Sequence, residues 1–362
     1  MDFVLRLVTL LVSFSLLQSR EVLKSIKLNE KMIYHCVEIY KQPSLNHPLL
    51  KNHKIQMKPS FAISEPENKV KSRRYDQNVI DCPNGTVPIL KNTKEYVRNA
   101  QYFAAKRLNP LTVVRPGEHI AVVRSRGQGP YHGVAAPISI HDLNISSDQY
   151  SSANIFVGST ANNNTFNLIE TGWMVNPSMF GDGRTWGYGY WKGAEGAGCY
   201  NTICPGFIQV SETVHLSGPL RETHDPNNRY INVGLQQDKI SGNWWASDIN
   251  KHKPDTYIGY WPKEMFDLIA NAADIVGVGG VVQASPTGKS PPMGNGHLPA
   301  LYAFYSARIP DLHIMDASRK FRRHKKFKLE MLVDSKKCYG LRKDKITSMF
   351  LFGGPGGDAC GI

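Results

Sequence analysis

The chain has 362 residues, 41% of them hydrophobic, enough for one large core or two ordinary ones, and this excludes an intrinsically disordered polypeptide. Glycine (31), proline (22), tyrosine (16) and phenylalanine (14) are abundant while long helical periodicities are few, so an all-β domain is the first expectation. The formal net charge of +13 admits an anionic partner, but seven Lys/Arg gather in residues 319–328 with no aromatic stacking code around them, which argues against nucleic acid.

In chain order, MDFVLRLVTLLVSFSLLQSR places an apolar run from Leu7 to Leu17 behind Arg6, too short to span a bilayer and right for a signal peptide over residues 1–19. The expectation is a secreted, extracellular chain with no membrane association after cleavage. An oxidising destination makes Cys36, Cys82, Cys199, Cys204, Cys338 and Cys360 a disulfide set with 15 formal connectivities, of which close spacing favours Cys199 with Cys204. Sequons at Asn84, Asn144 and Asn163 fit the same destination as glycosylation sites.

Residues 20 to about 110 are polar and Lys/His-rich, and Pro43, Pro48 and Pro59 predict an extended, docked segment with little regular structure. Residues 61–80 read as an exposed linker with a dibasic SRR open to a processing protease. CPNGTVPIL followed by EYVRNAQYFAAKRL allows one strand and one short helix. Past Pro110, HIAVVRS, GVAAPISIHDL, SANIFVGS, TFNLIETGWMV, GYGYWKG, GFIQVS, YINVGLQQ, NWWASDI and TYIGYW are short runs between turn residues, the spacing of a sandwich or barrel. Pro262 and the periodic Met265, Phe266, Ile269, Ala272 and Ile275 predict a helix over PKEMFDLIANAADIV. The basic run RKFRRHKKFK reads first as a solvated face, with acidic wall polysaccharide as its extracellular partner if it is a built site. GGPGG near the end lacks Lys-Ser/Thr and reads as a tight turn beside a Cys360 disulfide.

No Gly-x-Ser-x-Gly elbow and no His-Glu-x-x-His are present, so the serine-hydrolase and zincin signatures are missing, and no metal or cofactor is expected. Carboxylates are left. Two acids a few ångströms apart split roles, one ionised to activate water and one protonated to polarise a carbonyl. Glu170, alone in NLIETGWMVNP, is a candidate, although spacing does not select it over Glu118, Glu195, Glu212 or Glu222.

HCVEIYKQPSLNHPLLKNHKIQMKPS closely resembles the activation-peptide motif of the neprosin family of plant secreted proteins. IETGWMVNPSMFGDGRTW, GCYNTICPGF, GNWW, IGYWP, MGNGHLP and FGGPGG resemble that family's catalytic domain, in the same order. The resemblance runs from about residue 32 to the end. It implies a zymogen: a mostly irregular pro-region (20–110) masking an antiparallel β-sandwich of two large sheets with one short helix (111–362). It further implies a glutamic endopeptidase that cuts at proline under acid conditions, with two glutamates facing each other across a groove. Glu170 matches the first. The second falls in a WGGE motif, which here reads VGVGGVVQ, so Val281 stands at a degenerate catalytic position.

The expected outcome is impaired catalysis, a pseudoenzyme with one of two catalytic glutamates, or else a non-catalytic extracellular module that keeps the groove and binds proline-rich proteins. Gln283, two residues on along the same strand face, is the candidate amide for polarising a carbonyl instead. The resemblance also implies disulfides Cys199–Cys204 and Cys338–Cys360, leaving Cys36 with Cys82. Trp173, Tyr190, Trp191 and Trp245 are expected to line the substrate groove as exposed aromatics on which proline rings stack. The expected partners are proline-containing peptides or proteins, and a monomer is the expected state.

Overall fold

The computed structural model describes residues 22–30, 32–61, 80–106, 117–127, 129–162, 165–196, 198–220, 229–250, 253–300 and 305–360. The expected signal peptide, the dibasic SRR, Asn163 and the expected 110/111 boundary lie outside the described residues. The N-terminal part forms β1 (Val22–Lys27), β2 (Ile33–Glu38), β3 (Thr86–Leu90) and helix α1 (Lys94–Lys106). Then come β4 (Glu118–Ser125), β5 (Gly133–Ser139), β6 (Tyr150–Thr160), β7 (Phe166–Val175), helix α2 (Pro177–Phe180), β8 (Thr185–Lys192) and β9 (Gly198–Tyr200). Next are β10 (Ile208–Gln209), β11 (Gly218–Pro219), β12 (Tyr230–Gln237), β13 (Trp244–Asn250), β14 (Lys253–Trp261) and β15 (Ile275–Gln283). The chain closes with β16 (Ala307–Ile309), β17 (His313–Met315), β18 (Phe321–Arg323), β19 (Leu329–Val333), β20 (Gly340–Lys343) and β21 (Phe350–Gly353).

Two antiparallel sheets make the sandwich, one ordered β10-β14-β13-β12-β5-β17-β18 and one of eight strands, β11-β8-β7-β6-β15-β4-β19 with β9 also paired to β8. Alternation along β7 sends Ile169, Thr171 and Trp173 inward, where Trp173 Nε1 donates to Ser139 O on β5 at 2.9 Å. Ile155 and Val157 on β6, and Val276 and Val278 on β15, share that inner side and are buried. Glu170, Gly172 and Met174 therefore point to the outer face of the eight-stranded sheet. Gly172 is required by strand approach: a Cβ there would meet Ala153 O at 2.1 Å.

The strand runs read from the sequence all become strands or their cores, YINVGLQQ residue for residue. The N-terminal segment is mostly irregular around its prolines, as expected, and adds a hairpin of β1 and β2 that β3 extends into a third sheet. Pro43 and Pro48 each open a short 3-10 turn. Finally, PKEMFDLIANAADIV is not a helix: only Lys263–Met265 turns, as a 3-10 element.

The apolar residues of that segment are buried as a helical stripe would be, with Met265, Phe266, Ile269 and Ala273 in the core. Its backbone groups are instead taken by side chains around it. Asn167 Oδ1 accepts from Asp267 N (3.0 Å) and Leu268 N (2.8 Å), Trp244 Nε1 donates to Ile269 O (2.9 Å), and Gln237 Nε2 donates to Ala270 O (2.9 Å). Tertiary partners satisfy the donors and acceptors that helical bonds would have used.

The disulfides are Cys36–Cys82, Cys199–Cys204 and Cys338–Cys360, the pairs the resemblance implies. GGPGG packs beside the last of them, with Gly353, Gly356 and Gly357 at φ of 135°, 69° and 114°, a left-handed path that glycine takes without strain. Replacement Gly172→Ala should cost about 1–3 kcal/mol through the forced parting of β7 from β6. Calorimetry would register this as a melting temperature several degrees lower, and an unchanged value would mean the two strands part freely.

Candidate active site

Glu170 sits in mid-β7, buried at 1% exposure, directly opposite Phe156 on β6 and Tyr190 on β8. Cross-strand partners share a sheet face, so register maps the site. Val281 on β15 pairs with Ser152, and Ser152 with Met174, which places Val281 on the same outer face as Glu170. The two are separated by two strand spacings of about 4.8 Å and four residue rises of about 3.3 Å, a backbone diagonal of about 16 Å. Asn154 on β6 lies midway along that diagonal, between Gly172 and Gly279, its partners on the flanking strands.

Val281 brings no ionisable group to its end of the diagonal, and register decides whether a neighbour replaces it. Gln283 shares its face, as expected, but pairs with Tyr150, so it stands two strands and six residues from Glu170, about 22 Å at the backbone. Glu118 on β4 pairs with Gln283 and accepts from Tyr150 OH at 3.2 Å. It is three strands and six residues from Glu170, about 24 Å away. Neither side chain meets Glu170 over a single substrate bond. Glu212 is engaged by Gly85 N at 2.7 Å, and Glu222 lies outside the described residues.

Two polar groups on this face, Asn154 and Tyr188, were not picked out from the sequence. Asn154 Nδ2 donates to Tyr188 OH at 2.8 Å, and Tyr188 is a diagonal neighbour of Glu170 across β7 and β8. The rings of Tyr190 and Tyr200 lie 4.8 Å apart, adding an aromatic wall. After Tyr200 the chain turns through Asn201, at φ 55°, whose Oδ1 accepts from Gly189 N at 2.9 Å inside the loop closed by Cys199–Cys204. The only sequence signal for these groups is strand alternation, which places Tyr188 and Tyr190 on a common side without saying which side.

Helix α1 packs beside this face. Its buried stripe is Tyr96, Ala100 and Phe103, spaced as one helical side. Asn201 Nδ2 donates to Tyr96 OH at 2.8 Å at the Glu170 end, and Phe103 packs edge-on against Tyr150 at 6.1 Å at the Gln283 end. The helix thus runs alongside the Glu170–Val281 diagonal, packed on α2 through Tyr96–Phe180 at 6.2 Å and Asn99 Nδ2, which donates to Ser178 O at 2.6 Å. Burial pushes the Tyr96 phenol up to about 12, outweighing the hydrogen bonds from Asn201 and Ser217.

The four aromatics expected as exposed groove residues are all buried, and for three different reasons. Tyr190 does lie on the Glu170 face, covered by Tyr200. Trp173 and Trp191 fall on the opposite, inner side of the same sheet, because odd residues of β7 pair with odd residues of β8. Trp245 belongs to the other sheet and stacks at 4.7 Å on Tyr260, under residues 53–61.

Those residues form a second clasp. Tyr260 OH accepts from Gln56 N at 2.9 Å and shares a second hydrogen bond with His53 Nε2, also at 2.9 Å. Asp238 accepts from Ser60 N and from Gln56 Nε2 (3.3 Å). Earlier in the segment, Gln42 exchanges two bonds with the Gln209 backbone, at 2.8 and 3.0 Å. Burial holds His53 below its ordinary pKa against the pull of Glu264. Burial alone would raise Asp238, but the N–H groups of Ser241, Ser60 and Ile240 outweigh it and hold the carboxyl low.

Both folded pKa values are depressed, so both groups stabilise the clasp above their ordinary values. The contribution of His53 is lost as pH falls below about 6.5, and that of Asp238 as pH falls below about 4. Hydrogen exchange of residues 53–60, corrected for intrinsic rate, should therefore accelerate between pH 7 and pH 5 relative to β6 and β7. Equal protection at the two pH values would remove His53 from this role.

Two crystal structures of scytalido-glutamic peptidase, one with a peptide-based transition-state analogue and one with a transition-state analogue inhibitor, are similar to this chain at 10% and 8% identity. Each alignment covers 66% of this chain and 98% of that one, with a TM-score of 0.35. The family model described as Neprosin matches residues 147–355, more than half of the chain, and the one described as Neprosin activation peptide matches residues 25–132, through α1 and β4. The chain therefore belongs to the neprosin family.

Proposed function

We propose that this chain is a secreted, zymogen-organised glutamic peptidase homologue directed at proline-containing peptides at acid pH, with catalysis impaired by Val281. The observation that carries the reading is register: Val281 occupies the outer face shared with Glu170, and the acid and amide nearest it, Glu118 and Gln283, stand more than about 20 Å from Glu170. A valine neither donates a proton nor holds a water, and one general acid or base contributes about 10²- to 10⁴-fold in rate. Glu170 is left to orient water, with Asn154 and Tyr188 as the polar groups beside it.

Residues 20–110 act as the pro-region in this reading, with α1 as the part that occupies the groove. Its removal uncovers Tyr188, Tyr190 and Tyr200 beside Glu170, a tyrosine platform suited to proline, whose fixed φ lowers the ordering cost of binding. Secretion is supported by the pairing of all six cysteines in disulfides and by the exposure of the sequon residues Asn84 and Asn144. The same valine favours a second reading, in which the uncovered groove binds proline-rich chains without cutting them.

Cleavage of a quenched proline-containing peptide at acid pH by the acid-treated full chain separates the readings. Wild type should cut at least about 10²-fold more slowly than Val281→Glu, and adding Glu170→Gln to that variant should abolish the gain. Wild-type cleavage equal to that of Val281→Glu would sink the assignment of Val281 as the disabling residue.

A further inference from the structure

The run 319–328 crosses the open side of the sandwich. It begins at the edge of the seven-stranded sheet, in β18, makes one 3-10 turn over His324–Lys326, and delivers the chain to β19, the edge of the eight-stranded sheet. Lys320, Arg322, Arg323, Lys325, Lys326 and Lys328 are all exposed. Arg319 is not part of this surface, since its guanidinium donates to Gln237 O at 3.1 Å.

Two further cations extend the surface. Arg126 is exposed and donates its N–H to Lys328 O at 3.0 Å, and Lys343 reaches over the Phe350 ring, which packs on His324. Asp311 is the carboxylate that pairs with the run among the described residues, 3.1 Å from Arg323. Lys320, Arg322, Lys325, Lys326 and Lys328 carry no ion pair there. A solvated strand face of ordinary design intersperses both signs; here every charged side chain within 320–328 is a cation, with Asp311 beside Arg323 and Asp316 near Arg322 as the flanking acids.

The apolar members of the run are turned in. Phe327 packs near Tyr131 at 6.4 Å, and Phe321 lies against Gly133. His324 is buried beneath the turn, where burial first, and then the charge of Lys343, pushes its pKa down to about 4. The surface therefore offers charge without an insertable hydrophobe, which suits a soluble polyanion and not a lipid interface. Three disulfides place the protein in an oxidising compartment, where acidic polysaccharides and not nucleic acids are the abundant polyanions.

We infer that residues 320–328, with Arg126 and Lys343, form a binding surface for a carboxylate-bearing polysaccharide. β19 is four strands from β7 in the sheet order, so a chain held there leaves the Glu170 face free. The inference does not depend on whether the groove is catalytic.

The test is retention of the full-length protein on immobilised unesterified polygalacturonate, with the fully methyl-esterified polymer as the uncharged counterpart. Raising salt from about 50 to about 200 mM should weaken binding roughly 10²- to 10³-fold if about six cations engage. Arg322→Glu/Lys325→Glu/Lys326→Glu should lose at least about tenfold in affinity at low salt, and the milder Lys325→Gln/Lys326→Gln/Lys328→Gln should lose part of that. A charge-matched control, Lys27→Glu/Lys51→Glu/Lys239→Glu, alters exposed lysines elsewhere and should keep most of the retention. Equal loss in the control, equal binding to the esterified polymer, or stronger capture by phosphatidylserine vesicles would each overturn the proposal.

Discussion

Packing of α1 against α2, the turn after β9 and Tyr150 is the constraint that ties the N-terminal segment to the eight-stranded sheet. The outer face of that sheet carries Glu170, Asn154, Tyr188 and Tyr190, all buried, and the helix adds its own buried stripe of Tyr96, Ala100 and Phe103. Burying an aromatic or aliphatic side chain contributes about 1.5–3 kcal/mol, so the helix and the sheet each stabilise the other's apolar surface. The remaining N-terminal contacts, at Gln42, His53, Gln56 and Ser60, grip other parts of the sandwich. They make the cover a wrap around the body, not a single plug.

Val281 fits its buried position well. Burying a second carboxylate there would carry a desolvation penalty of several kcal/mol, with like-charge repulsion from Glu170 added. A valine at 2% exposure carries neither cost and contributes its own apolar burial. In the proposed reading, the residue that stands where the second carboxylate is expected is therefore also one that the buried face accepts without a desolvation cost.

Polar satisfaction elsewhere repeats the same logic of side chains standing in for backbone. Asn167, Trp244 and Gln237 hold the segment after β14 without helical bonds, and Gln42 pairs with Gln209 as an added strand residue would. Asn201 does the same for the loop that carries Tyr200 beside the Glu170 face. Each replacement is long-range in sequence, which is why the periodicity at 262–276 read as a helix and the structure made a ribbon pinned by neighbours.

The order of the strands, their alternation and the helix at 94–106 were legible in the residues themselves, because period-2 runs between turn residues and one amphipathic stripe are local properties. Which face of β7 looks outward was not legible, since alternation defines two sides and only the partner sheet names the inner one. That choice sent Trp173 and Trp191 inward and kept Tyr190 beside Glu170. The distances that exclude Gln283 and Glu118 were also beyond the sequence, because register between β4, β15, β6 and β7 is set by packing across strands that are up to about 160 residues apart in the chain.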